Sequence, residues 1–94
     1  MLKHVVTWKV KEENKQENME KMKKMLEALV GVIDEIKSLQ VGINENGGEY
    51  DIILITDFEN KEALQTYDAH PNHQEVRKFV RSVVESRVAV DYNY

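Results

Sequence analysis

Cysteine is absent from the 94 residues, which excludes disulfides, thiolate metal ligands and a thiol nucleophile. Proline occurs once and glycine four times, so there is no Pro- or Gly-rich linker and no low-complexity segment. Basic charge is also in short supply. Lys and Arg total 13 against 17 Asp and Glu, a formal net charge of -4 with a pI of about 5.4. With no basic patch to meet phosphates, nucleic acid is not an expected partner. No apolar run reaches membrane length and no signal-peptide pattern opens the chain, so no membrane partner is expected and the cytoplasm is the expected compartment. Gly-x-Gly-x-x-Gly, Walker and Gly-x-Ser-x-Gly patterns are missing, and with them the usual nucleotide and serine-nucleophile readings.

What is there is a globular composition, 41% hydrophobic and 32% charged, of a length suited to one domain over residues 1–94. His4 to Val10 alternates and is rich in β-branched residues, so it reads as a strand with His4, Val6, Trp8 and Val10 on one face. Asn14 with Glu17 resembles a capping box. Met19, Met22, Leu26, Leu29, Val30 and Ile33 then recur at helical spacing, with Gly31 as a C-terminal stop. Leu39–Asn44 and Ile52–Phe58 read as strands of a hairpin turned by Asn46-Gly47-Gly48. Asn60 caps a helix to about Asp68, and Asn72 with Glu75 caps another to about Val84. Ser86 to Tyr92 is the last strand. The order predicts an α+β, ferredoxin-like βαββαβ fold: a four-stranded antiparallel sheet with helices on one face.

Between the last two helical patterns lies Tyr67-Asp68-Ala69-His70-Pro71-Asn72-His73, which holds two of the three histidines and the sole proline. Pro71 cannot continue a helix and pushes His70 into an extended conformation. A corner of this kind can aim Tyr67, in one helix's last turn, and His73, in the next helix's first turn, at one spot. The positive end of the helix dipole disfavours a cationic His73, leaving it able to accept a proton. Tyr67 can donate to a carbonyl oxygen that is gaining charge. Such a pair takes an α-proton from a β-keto compound without metal or cofactor. The structural alternative is a core Tyr67 with a satisfied hydroxyl and a His73 that merely starts a helix. His4 on a strand fits a satisfied core histidine, and His70 a turn residue or a hydrogen-bond bridge. The histidines make a poor zinc site, which needs three well-aimed ligands, so no metal is expected.

Ile52-Ile53-Leu54-Ile55 is apolar throughout, as in strands buried on both faces. The helices cover one face of the sheet. Val5, Ile53 and Ile55 then join an apolar patch on the other, larger than monomers tolerate, so a homodimer packed through its open sheet faces is expected.

Lys3-His4-Val5-Val6, Leu39-Gln40-Val41-Gly42, the Tyr-x-x-His-Pro-x-His corner and Val90-Asp91-Tyr92 resemble the stress-responsive α/β-barrel (Dabb) domain family. The resemblance covers nearly the whole chain and implies a dimeric α/β barrel. Most bacterial members have no assigned activity. The implied protein binds a small apolar or aromatic molecule between sheet and helices, in a pocket lined by His4, Val6, Trp8, Met22, Leu26 and Leu54. A few plant members cyclise linear polyketides with a tyrosine and a histidine at this corner. Tyr67 and His73 match those positions and are the candidate catalytic pair of a cofactor-independent cyclase or lyase. Where the cyclases carry bulky aromatics on the first helix, this chain has Met22 and Leu26. A monooxygenase-like enzyme is a third reading, on shared barrel architecture alone.

Overall fold

The computed structural model describes residues 1–94 as β1 (Leu2–Val10), α1 (Lys15–Glu27), β2 (Ser38–Ile43), β3 (Ile52–Phe58), α2 (Lys61–Ala69), α3 (Pro71–Val83) and β4 (Val84–Asn93). The four strands form one antiparallel sheet in the order β2-β3-β1-β4. This is the ferredoxin-like arrangement, and its last helix is broken at Pro71.

Period-two alternation sorts the side chains. Leu2, His4, Val6, Trp8 and Val10 of β1 are buried, as are Ile52, Leu54, Thr56 and Phe58 of β3. The apolar ones meet Met19, Met22 and Leu26 of α1 and Val76 and Val80 of α3 in a single core. Residues facing one another across antiparallel strands share a face. His4 opposite Asp91, Val6 opposite Ala89 and Trp8 opposite Arg87 therefore lie on the helix side. Val5 opposite Ile55 and Val90, and Thr7 opposite Ile53 and Val88, lie on the open side. There Val88 is 47% exposed, Val90 58% and Tyr92 46%. From β2, Gln40 and Gly42 reach this face; Val41 and Ile43 turn to the helices.

Three local expectations are corrected. Helix α1 ends at Glu27, and the chain then runs through turns with Gly31 at φ 86. Leu29 and Ile33 are buried from those turns while Val30 is exposed, so apolar recurrence outlasts the helix. Asn14 precedes α1 but makes no side-chain cap; its left-handed φ of 53 departs from the extended geometry in which a cap side chain reaches back to the first-turn N–H groups. Its carbonyl accepts from Asn18 N–H, and Asn18 Nδ2 donates to the Glu13 carbonyl. At the corner, His70 is the cap of α3, not Asn72. Proline is at home in the first helical position because the N–H it lacks would be unpaired there anyway. That moves the cap one residue ahead of Pro71. His70, extended at φ -64 and ψ 134, accepts the Asn72 N–H on Nδ1 at 3.1 Å. Asn60 does cap α2, accepting from Ala63 N–H at 2.9 Å.

Candidate functional site

The last turn of α2 leaves carbonyls without helical partners, and the corner uses one of them. The Asp68 carbonyl oxygen accepts from Gln74 Nε2 and from His73 Nδ1, the latter at 3.2 Å. The Asp68 carboxylate meets Arg77 Nη2 at 3.5 Å. Asp68 thus ties the end of one helix to the start of the next and fixes the His73 ring. With its hydrogen on Nδ1 for that bond, neutral His73 carries its lone pair on Nε2, which bonds nothing in the structure. Burial first, then the Arg77 charge, lower the His73 pKa below its ordinary value, against the pull of the Asp68 carbonyl. The ring therefore stays neutral near pH 7, with burial as the leading cause.

Tyr67 lies between two histidines. Its ring is 4.2 Å from that of His73 and 6.3 Å from that of His4, centroid to centroid. The residue is 0% exposed, and its hydroxyl is buried without a hydrogen-bond partner. Burial and the Asp68 carboxylate push its pKa up, so the hydroxyl keeps its proton. His4 Nδ1 pairs with the Asp91 carboxylate across the β1–β4 ladder, which leaves His4 Nε2 free as well.

These rings border a cavity of about 400 Å3 between sheet and helices. His4, Val6, Trp8, Leu26, Leu54, Tyr67 and His73 all line it. Met22 does not: it is fully buried among the core side chains. Sequence reasoning missed the other wall, formed by Val76, Val80 and Val84 with Arg77, Arg81 and Arg87 at the polar rim. One signal was present. Arg77 and Arg81 follow Val76 and Val80 at the same four-residue step, so they flank the buried stripe of α3. Arg87 and Asp91 show their side only once β4 is in register with β1. No group of His, Asp and Glu side chains is arranged to hold a metal ion.

The chemistry available here needs a proton donor and a proton acceptor in an apolar surround. The stress responsive A/B barrel domain, Dabb, matches residues 2–94. The chain belongs to the Dabb family. A dimeric protein of unknown function with a ferredoxin-like fold from Bacteroides fragilis is 34% identical, with a TM-score of 0.93 over 99% of this chain and 95% of that one. A protein from Arabidopsis thaliana is 30% identical, with a TM-score of 0.88 over 100% of this chain and 95% of that one. A dimeric ferredoxin-like protein of unknown function from Thermobifida fusca, 21% identical, shares the fold with a TM-score of 0.89 over 99% of this chain and 90% of that one. No curated protein matches the chain. This Dabb protein thus has structural relatives that are dimeric, and no helix of its own is long and apolar enough to cross a membrane.

Proposed function

We propose that this Dabb domain binds a small molecule with an apolar or aromatic body and a carbonyl oxygen, and that Tyr67 holds that oxygen. The unpartnered Tyr67 hydroxyl carries the reading. A buried hydroxyl without a partner loses free energy that a ligand acceptor restores. Val6, Trp8, Leu54, Val76 and Val80 supply the apolar wall against which such a body packs. Reaching the hydroxyl, which is closed to water in the unliganded protein, requires a side-chain shift at the cavity floor.

A second reading rests on His73. Its Nδ1 is committed to Asp68, its Nε2 is free, and its lowered pKa keeps it neutral. A carbonyl held on Tyr67 and a neutral base beside it suit removal of an α-proton, with the enolate oxygen stabilised by the tyrosine. A cofactor-independent lyase or cyclase step on a β-keto compound follows from that pair.

The open sheet face belongs to the same proposal. Val5, Ile53, Ile55, Val88 and Val90 form an apolar surface that a second copy of this chain covers by packing face to face. The cavity lies on the opposite side of the sheet and stays accessible in that assembly.

Binding is tested by calorimetric titration of aromatic ketones and β-diketones into wild type and Tyr67→Phe. Binding to wild type that weakens in the variant is expected. Equal affinity in both overturns the role of the hydroxyl. For the second reading, α-proton exchange of a β-diketone in heavy water is followed by NMR. The reading predicts catalysis above background by wild type and its loss in His73→Ala.

A further inference from the structure

Five fully charged side chains line the cavity: Asp68, Arg77, Arg81, Glu85 and Arg87. Asp68 is matched by Arg77. Glu85 pairs with Lys9 of β1 at 4.0 Å. Arg81 and Arg87 have no carboxylate partner within ion-pair distance, in a chain with a net charge of -4. One comes from the last turn of α3 and the other from β4. Arg87 stands opposite Trp8 in the ladder, which puts it on the cavity side of the sheet and away from the apolar open face. Two separate elements thus bring unmatched guanidinium groups to the cavity, beside the apolar wall of Val76, Val80 and Val84.

We propose that Arg81 and Arg87 bind a carboxylate on the ligand, so that the molecule taken by this cavity is a carbonyl compound carrying a carboxylate at its outer end. The inference rests on the binding reading above and adds the ligand's charge and direction. The planar, permanently charged guanidinium matches the two oxygens of a carboxylate, and a pair at a rim serves a group that stays near water while the body enters. Arg77 and Arg87 both work against the burial and the Asp68 carboxylate that raise the Tyr67 pKa, so they favour negative charge at the tyrosine oxygen.

The test uses 4-oxo-4-phenylbutanoate, its methyl ester and the corresponding phosphonate, titrated into the full chain by calorimetry. Wild type is expected to bind the carboxylate about tenfold more tightly than the ester, the scale of one or two charged hydrogen bonds at a solvated rim. That advantage should shrink as ionic strength rises. In Arg81→Gln/Arg87→Gln it should vanish while ester affinity stays the same, and in Tyr67→Phe both ligands should weaken together. Ester and acid binding wild type equally, or an acid preference that survives in the double variant, overturns the carboxylate inference and leaves the cavity reading standing. A phosphonate that binds better than the carboxylate overturns the choice of anion. Binding of none of the three ligands to wild type overturns both readings.

Discussion

The Tyr67 and His73 rings sit 4.2 Å apart, at an angle of 41°, although they belong to different helices. Pro71 makes that possible. It ends the run of α2, lets α3 begin on itself, and leaves only His70 between the two helices. The Asp68 carbonyl then takes the His73 Nδ1–H, so ring orientation and tautomer are fixed by the same corner that brings the rings together. His4 approaches Tyr67 from the sheet, held by Asp91. A proton donor with no partner thus lies between two imidazoles whose Nε2 atoms are free.

The Tyr67 hydroxyl should be a stability cost in the unliganded protein. Tyr67→Phe keeps the ring packed against Phe58 and His73 and removes only the unpaired polar atom. The variant should be more stable than wild type by about 1 kcal/mol, the lower end of the cost of an unsatisfied buried group. Urea unfolding without ligand measures it. A loss of 1 kcal/mol or more would mean the hydroxyl has a partner in solution.

The depressed pKa of His73 makes folding pH-dependent in a defined direction. Its folded pKa lies below the ordinary value of 6.5, so between the two the unfolded chain binds more protons than the folded one. The contribution to stability is therefore complete above pH 6.5 and is lost as pH falls from there through the folded pKa. The slope from this group cannot exceed about 1.4 kcal/mol per pH unit. His73→Gln should lose less stability than wild type on acidification across that window, as read from urea midpoints at matched pH. Parallel curves for the two proteins would contradict the assignment.

The element order and the core faces were legible because strand alternation and helical spacing are local patterns that burial enforces. Tyr67 and His73 were legible because Pro71 dictates where one helix stops and the next starts. The cap was misread since Asn72 followed by Glu75 is a favourable local pattern, but the same proline starts the helix two residues too early for it. The end of α1 was misread since Leu29 and Ile33 keep their spacing in turns that bury them as well as a helix would. Arg87 and Asp91 gain their meaning from the ladder with β1, a long-range pairing that no window of β4 contains. Met22 is packed into the core while Leu26, one turn on, lines the cavity; helical spacing separates inside from outside, not core from cavity.

The cap correction is itself testable. His70→Ala removes the acceptor of the Asn72 N–H and should cost about 1 kcal/mol, a usual figure for losing an N-terminal cap. Asn72→Ala, at an exposed position inside the first turn, should change stability by less than about 0.5 kcal/mol. Urea midpoints of the two variants decide the matter. The reverse order would restore Asn72 as the cap.

The open face predicts an assembly that one surface charge can break. Val90 is 58% exposed on that face, beside Val5 in the ladder, so a carboxylate there has little effect on a lone subunit but would be desolvated without a partner in a face-to-face dimer. Val30, 52% exposed in the turns after α1, is a control of the same residue type outside the sheet. Sedimentation equilibrium should give wild type and Val30→Glu twice the 11.0 kDa chain mass, and Val90→Glu the chain mass alone. Circular dichroism that matches wild type would show that Val90→Glu is folded. A folded Val90→Glu that remains dimeric would place the interface elsewhere, and the apolar face of β1, β3 and β4 would then need another explanation.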